Sequence, residues 1–440
     1  MDTKIIDERE MVAKFKENNL EGFYSFVHSY DKYIANSMRA KGYKLVNAAE
    51  RTVVFTFGEV TFSRNRWYKN GKCKIPVDDK LGLEKNSRYS LELIYQIANL
   101  AAMLPYRQVI EVIKMMYQIY ISKDTVVKAI KMSASILNEK EEYRFFKMEN
   151  TEQKIKADKI FIEGDGVFFN VNEDGIDQSK MEISHFVIHT GKKKLHGERF
   201  VLQNKREVIE KSSYLAREKV LDILENEFEI TDETIFITNS DGGKGYTPYV
   251  FQELVKSFPH KKHEHFWDRY HINKELGLMF ANYPKQLFQD AMKAINTHNR
   301  KGMVTVLDTF ESMITTEYEQ GRFESLKRRI LSNFQYTKTP EYRGYTDLAL
   351  GITESQHRKL TFRMKNRGMN WTQTGALTVA KIIILKDENK LRDLFFGSWR
   401  EEYKKFEELN LSAGYVSDQS ARKYDLSVPS NKITKNFSKL

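Results

Sequence analysis

The stretch KIFIEGDGVFFN, residues 159–170, constrains this chain more than any other. Ile160 and Ile162 are apolar, Glu163 and Asp165 are acidic, and Val167, Phe168 and Phe169 resume the apolar run. A run this short, bounded by Gly164 and Gly166, reads as a buried strand with an interruption. Side chains alternate across a strand, so Glu163 and Asp165 can share a face. A carboxylate at the end of a core strand is costly unless it is paired or holds a cation. Glycines on both sides of Asp165 leave room for a large ligand to approach the backbone. Taken alone, the same letters fit a turn between two strands with a solvated Asp.

The pattern recurs in TIFITNSDGGKGY, residues 234–246, where Ile235, Phe236 and Ile237 lead to Asp241 and then to glycines. Two strands that each deliver an Asp to one sheet edge suit a hard divalent cation, which wants carboxylate oxygens. Two such ions about 4 Å apart can clamp the attacking and leaving oxygens of a phosphoryl transfer. A third carboxylate usually completes the set, and Glu354 in GITESQHRKLTFRMKNRGMNW is the candidate.

The pieces FIEGDG, TNSDGGKGY, FWDRYH and GITES, followed by RMKNRGMNW and TGA, run from about residue 160 to 376, with FGEVTFSRNRWY upstream. On these the chain resembles a bacterial insertion-sequence transposase of the ISLre group, with an RNase H-like DDE catalytic domain. The resemblance covers nearly the whole chain. It implies Asp165, Asp241 and Glu354 as the catalytic triad and as ligands of two Mg²⁺ or Mn²⁺ ions. It favours Asp165 over Glu163, and places the D-x-x-H of Asp268 and His271 near the active site, although a structural hydrogen-bonded pair fits those two residues equally. The implied partner is DNA, both the element's terminal inverted repeats and the target, held by at least a dimer on paired ends. The implied reaction is cleavage of a phosphodiester at the element's end, then attack of the freed 3′-OH on target DNA. Two rival readings are an RNase H-like nuclease or resolvase that only cleaves, and a DNA-binding regulator with an inactive catalytic domain.

Composition agrees with a polyanion partner without requiring one. The chain has 440 residues, with 71 Lys and Arg against 60 Asp and Glu, a net charge of +11. Cys73 is the only cysteine, which excludes intrachain disulfides and Cys-paired zinc and fits a reducing cytosol. No apolar leader and no 18-residue apolar run stand out, so the expected location is cytoplasmic, with no membrane partner. His260, His263, His265 and His271 tempt a zinc reading, which the missing cysteine pair and the intervening lysines disfavour.

Upstream, residues 7–41 carry an apolar stripe through Leu20, Phe23, Phe26, Val27, Tyr30, Ile34 and Met38, so a helix is expected to pack or self-associate there. Residues 52–68 read as a β-hairpin around Gly58 and Glu59, whose second arm carries Arg64, Arg66, Trp67 and Tyr68. Basic and aromatic residues interleaved on a ribbon can grip phosphates and stack on bases, or can be an ordinary exposed hairpin. Tyr106–Tyr117 reads as a helix after Pro105. Ser122 is a cap for a second helix carrying Lys123, Thr125 and Lys128, the spacing of a helix-turn-helix without its turn glycine. Helical hairpins with no DNA role share this spacing.

Downstream, MEISHFVIHT and ERFVLQN read as strands, KSSYLAREKVLDILENEFE as a helix, and the expected order is β-β-β-α-β-α-β. A mostly helical insertion at 275–350 explains the long gap before Glu354. Arg358, Thr361 and Lys365 share a helix face with Glu354, and Arg363, Arg367 and Trp371 follow. All of these are candidate DNA contacts, although a solvated charged face reads the same way. The expected fold is an α/β catalytic domain, a mixed sheet flanked by helices with a helical insertion, behind a mainly α N-terminal DNA-binding region containing a β-hairpin. The expected segments are 1–50, a helical region, and 51–150, the hairpin and helix-turn-helix-like region. The catalytic domain runs over 151–274, the insertion over 275–350, the Glu helix over 351–410, and a polar tail over 411–440.

Overall fold

The computed structural model describes residues 8–146, 154–173, 176–197, 200–365 and 369–407. The expected polar tail at 411–440 and Arg367 lie outside the described residues. The described residues divide into two compact units: those within 1–99, 107–149 and 388–440, and those within 100–106 and 150–387. No helix among them is long and apolar enough to cross a membrane.

In the first unit, helix α1 (Glu8–Ala40) precedes the antiparallel strands β1 (Lys44–Phe55), β2 (Gly58–Lys69) and β3 (Lys72–Lys74). Short α2 (Pro76–Lys80) and helices α3 (Leu91–Ala101), α4 (Tyr106–Tyr117) and α5 (Lys123–Phe146) follow. The α1 stripe is spent on packing: Val27 is buried with Val53, Val60 and Phe62, and Leu20, Phe23 and Tyr30 lie against them. The hairpin turns at Thr56–Phe57, because Phe55 pairs with Gly58. That is earlier than the Gly58–Glu59 turn expected, and Gly58 supplies the positive φ of 138° that the closing residue needs. Between α4 and α5 the turn needs no glycine, since Gln118 takes the left-handed conformation at φ 54°. Ser122 Oγ then accepts from Thr125 N at 3.3 Å and caps α5. Residues 388–407 return to this unit, where Lys140 Nζ stands 2.5 Å from Asp393 Oδ2.

The second unit is built on one five-stranded sheet. Its chain order is β4 (Ile155–Lys156), β5 (Lys159–Glu173), β6 (Ile176–His189), β7 (Lys192–Lys194), β8 (Phe200–Leu202) and β9 (Arg206–Glu210). Then come α6 (Ser213–Glu227), β10 (Phe228–Glu229), β11 (Ile235–Ser240), α7 (Pro248–Lys256) and β12 (Lys262–Trp267). The sheet runs β12-β11-β5-β6-β9, with β11 parallel to both its neighbours and β5-β6-β9 antiparallel. These five strands and α6 and α7 therefore follow one another as β-β-β-α-β-α-β.

The period-two pleat sorts β5. Ile160 and Ile162 point into a core with Phe186, Val220, Phe236 and Phe251 under α6 and α7. Phe161 points the other way, beside Ile237 and Phe266. That second face is covered by α12 (Thr353–Met364) and α13 (Gln373–Asp387), which pack on β5 and β9. Between β12 and α12 in the chain, α8 (Arg269–Met279), α9 (Lys285–Asn296), α10 (Arg300–Glu311) and α11 (Glu317–Asn333) enclose their own core around Phe280, Leu307, Phe310 and Phe323.

Strand β5 runs unbroken through both glycines, so neither the expected interruption nor the turn reading holds. The glycines also make room for neighbouring side chains. A Cβ at Gly164 would lie 2.5 Å from the Phe186 ring, and one at Gly166 2.2 Å from the Glu182 carboxylate. Close cross-strand packing by β6 is what keeps both positions free of a side chain.

Candidate active site

The last paired rung of the parallel ladders joins Gly164, Ser240 and Trp267 on three adjacent strands. One residue further along each strand comes an aspartate: Asp165, Asp241 and Asp268. The ladder carries on into this row, for Asp268 N donates to Ser240 O at 2.8 Å and Trp267 Nε1 donates to Asp241 O at 2.7 Å. The ends of β11 and β12 and the middle of the longer β5 thus deliver three carboxylates to one place, where the parallel ladders stop. Asp268 had been expected only near the site. The signal for it was present in KHEHFWD, a third β-rich run ending in Asp, but its place in the row depends on a pairing that is not local.

Each carboxylate is held differently. Asp165 Oδ1 accepts from Gly166 N at 2.7 Å, and Asp241 Oδ1 accepts from Gly243 N at 2.7 Å. Asp268 Oδ1 caps α8 by accepting from Tyr270 N at 2.8 Å, and its Oδ2 lies 3.4 Å from His271 Nδ1. Burial, together with the charge of Asp241, pushes Asp165 up to about 7, while His271 opposes the shift. His271 is pushed up to about 9 by its pairing with Asp268 and by the charges of Asp165 and Asp241. At neutral pH it carries a proton, and its Nε2 lies 4.0 Å from Asp165 Oδ2.

Glu163 shares the Asp165 face, as expected, and does something else. It is fully buried, and its Oε2 accepts from Ile352 N at 2.9 Å, Thr353 N at 3.2 Å and Thr353 Oγ1 at 2.8 Å. It therefore caps α12 from across the fold, satisfying donors that a helix start leaves orphaned. Burial pushes it up to about 7 against those hydrogen bonds.

Capped this way, α12 turns Thr353, His357 and Leu360 inward. Glu354 is exposed, as is Arg358. His357 is the residue of α12 that meets the row, with Nδ1 3.6 Å from Asp165 Oδ2. Burial and the neighbouring His185 and His271 push His357 down to about 2, so its imidazole is neutral. Its ring lies 5.0 Å from that of His185, whose Nε2 is 2.9 Å from Glu207 Oε2. Burial alone would raise Glu207, but His185, Lys359 and Lys205 hold it well below the usual carboxylate range. Among the described residues, no three His, Cys, Asp or Glu side chains are gathered so as to hold a metal ion between them.

A family model matches residues 7–399 of the chain. The chain belongs to the uncharacterised protein family UPF0236. It is 28% identical over 401 residues to a UPF0236 protein in the vanSb 3′ region of Streptococcus gallolyticus, covering 88% of this chain and 84% of that one. It is 24% identical over 408 residues to a UPF0236 protein of Caldanaerobacter subterraneus subsp. tengcongensis, covering 88% and 80%. Among solved structures, the Drosophila P element transposase strand transfer complex aligns over 74% of this chain and 88% of its own at 9% identity. Its TM-score of 0.24 is too low to bear on the fold.

The other candidate residues of the UPF0236 chain divide by whether their polar groups are already used. Arg64 is spent internally: its Nε is 3.2 Å from Asp78 Oδ1 and its Nη1 donates to Ala49 O. Trp67, beside it, is fully buried and offers no stacking face. Arg66 is half-buried and donates to the neutral Tyr68 hydroxyl at 2.6 Å. Thr125 is buried, its hydroxyl 3.0 Å from that of Tyr89, whereas Lys123 and Lys128 are exposed. Arg363 and Trp371 are corrections to the expected DNA-facing surface, because both lie inside. The Arg363 guanidinium sits 5.2 Å from the Trp371 ring centroid and donates to Ala101 O at 2.7 Å. Trp371 Nε1 donates to Met364 O at 3.0 Å. Lys365 is exposed at the end of α12. Thr238 Oγ1 lies 2.8 Å from both His263 Nε2 and His265 Nδ1, which uses that pair as a buried hydrogen-bonded cluster.

Proposed function

We propose that this UPF0236 chain is a DDE-type DNA transposase of an insertion sequence, of the ISLre kind, with an RNase H-like catalytic unit. The observation that carries the reading is the row Asp165, Asp241, Asp268 one residue beyond the last rung of three adjacent strands. The mixed order β12-β11-β5-β6-β9, with helices on both faces, is the order expected of an RNase H-like sheet. One relative's name joins eleven loci of a single genome, the kind of multiplicity a self-mobilising element leaves.

Two carboxylates on adjacent strands offer the oxygen donors that a divalent cation takes. Burial first, and then the charge of Asp241, raise Asp165 to about 7, and the His271 imidazolium stands beside them as a counter-charge. Asp165 and Asp241 would hold Mg²⁺ or Mn²⁺, two ions in the full reaction, which would supply Lewis-acid stabilisation of the phosphate oxygens. The chain's own groups do the rest. Asp268 orients His271, and the His271 proton places positive charge beside the acidic pair. Glu163 fixes α12 against the sheet. Exposed Arg358, Lys365, Lys123 and Lys128 are free to meet DNA phosphates.

The test uses the purified full chain, duplex DNA carrying the element's terminal repeats, a target duplex and Mg²⁺ or Mn²⁺. Cleavage at the repeat end and joining of the 3′-OH to target are the expected products. Asp241→Asn is expected to lower cleavage by about 100-fold or more with end binding retained. Cleavage by that variant within tenfold of wild type would sink the assignment, and cutting without joining would reduce the enzyme to a nuclease.

A further inference from the structure

The connection between β6 and β9 is longer than the sheet needs. Ile188 pairs with Arg206, so a turn of a few residues would join the two strands. Instead the chain runs out as β7 and returns as β8, with Lys192 opposite Leu202, Lys193 opposite Val201 and Lys194 opposite Phe200. Thr190 N donates to Gln203 O at 3.0 Å and Gln203 N donates to Gly191 O at 2.9 Å, which ties this ribbon to the sheet. Positive φ at Gly191 (139°) and Asn204 (51°) marks the joint where it leaves.

None of the described residues from 190 to 205 is buried, so the ribbon adds nothing to the core. It carries apolar side chains all the same: Leu195 is 63% exposed, Phe200 49% and Val201 47%. Exposed apolar groups gathered together mark a surface that another molecule covers. The charges select the molecule. Lys192 is already paired, with its Nζ 2.6 Å from Asp347 Oδ1. Lys193 and Lys194 are exposed and meet no carboxylate among the described residues. Opposite side chains share a face and successive ones alternate, so Lys193 and Val201 lie on one face and Lys194 and Phe200 on the other. A bare cation on each face, beside an apolar tip, complements a groove with a phosphate strand along each wall. A ribbon with its side chains is about 10 Å thick, which suits the major groove, about 12 Å wide, and not the minor groove, about 6 Å. In a symmetric contact with a second copy of this chain the lysines would meet their own kind, and like charge opposes that pairing.

We propose that the β7–β8 ribbon enters the major groove of duplex DNA, with Lys193 and Lys194 on the phosphates of the two walls and Leu195 at the base edges. The proposal rests on the catalytic reading above for which DNA is held, and adds where it is held. His185 pairs with Asp165 on the sheet, and Lys194 lies nine residues further along the same chain. At about 3.3 Å per residue that is at most about 30 Å, or about nine base pairs of B-DNA. The ribbon therefore grips the duplex within one helical turn of the bond that the aspartate row would cut.

The experiment measures binding of the full chain to two duplexes, one carrying the element's terminal repeat and one of mixed sequence, by fluorescence anisotropy across a range of salt. The double variant Lys193→Ala/Lys194→Ala is expected to lower the slope of log K against log salt by about 1.8 on both duplexes. Its melting temperature is expected to match wild type, because neither side chain is buried. Lys193→Arg/Lys194→Arg is expected to keep the wild-type slope, and Leu195→Ser to weaken binding at constant slope. A photocrosslinking residue in place of Leu195 is expected to mark the terminal-repeat duplex no more than about nine base pairs from the cleaved bond. An unchanged slope in the alanine double variant overturns the proposal, as does a lowered slope in the arginine one or a wild type that binds neither duplex. Self-association of wild type that Leu195→Ser abolishes while DNA binding stays intact overturns it in favour of a second copy. The cleavage assay separates the two ideas. A slope lowered on the mixed-sequence duplex, in a protein that cuts no DNA, removes the transposase reading and leaves the ribbon. Cutting with an unchanged slope does the reverse.

Discussion

The β-hairpin of the first unit and the aspartate row of the second both set charges on strands, and they spend them in opposite ways. The hairpin's charges are met from outside it: Asp78 on α2 takes Arg51 Nη1 at 2.8 Å and Arg64 Nε at 3.2 Å, and Arg88 meets Glu59 at 3.1 Å. In the row, like charges face each other, and Asp165 rises to about 7 because Asp241 adds to its burial. A charge that finds its opposite holds a fold together. A charge that finds its like costs stability, and such groups cluster where proteins do chemistry.

The sharpest way to break this contrast is to remove one carboxylate from each region and compare signs. Asp78→Ala strands two arginines whose side chains are only 11% exposed, and is expected to cost about 3–5 kcal/mol in chemical denaturation. Asp165→Asn should go the other way. Its folded value, about 7, lies above the ordinary 3.8, so its carboxyl costs the metal-free fold stability as pH rises from about 4 through 7. Removing the charge is expected to stabilise the metal-free protein at pH 8 by about 2–4 kcal/mol, with little effect at pH 4. Destabilisation by Asp165→Asn at pH 8 would show that the row is structural after all.

Glu163 refines the comparison because it belongs to both kinds. It is paired with backbone and hydroxyl donors, as in the hairpin, yet is raised to about 7 by burial. The folded state therefore holds a proton that the unfolded state loses above about 4.5, and stability falls as pH climbs from there through 7. Gln at this position keeps a carbonyl for the α12 cap and has no proton to lose. Glu163→Gln is expected to flatten the metal-free stability profile between pH 5 and 8 by up to about one proton's worth of slope. An unchanged slope would show that Glu163 does not titrate in that window.

What the sequence disclosed and what it withheld divide along locality. The β5 alternation, the Asp241 recurrence, the α1 stripe and the Ser122 cap are set by neighbours along the chain, and each could be read there. Glu163 capping α12 joins residues 189 positions apart, and the third aspartate depends on β12 lying beside β11. The orientation of α12 was equally hidden. Its charged residues suggested one useful face, but the clamps from Glu163 and Glu207 turn Thr353, His357 and Leu360 inward and leave Glu354 exposed. Arg363 shows the same limit: a basic run reads as surface until two aromatic rings are found around one of its members.

The smallest expected effect separates two arginines that the sequence could not. If the hairpin touches DNA, the grip comes from charges it has not already neutralised. Arg64 is committed to Asp78 and Ala49, whereas Arg66 has for its polar partner an uncharged phenol and lies 5.6 Å from that ring's centroid. A phosphate contact by Arg66 would release about one counterion, so Arg66→Ala should lower the dependence of log K on log salt for end-DNA binding by about 0.9. Arg64→Ala should leave that slope unchanged and instead lower stability, because Asp78 loses one of its two cations while keeping Arg51. Equal slopes for wild type and Arg66→Ala would mean that the hairpin's remaining charge is also structural. A flattened slope in Arg64→Ala would mean that the Asp78 pair opens to let its arginine reach phosphate, and the distinction between spent and unspent charge would fail in the region where it looks clearest.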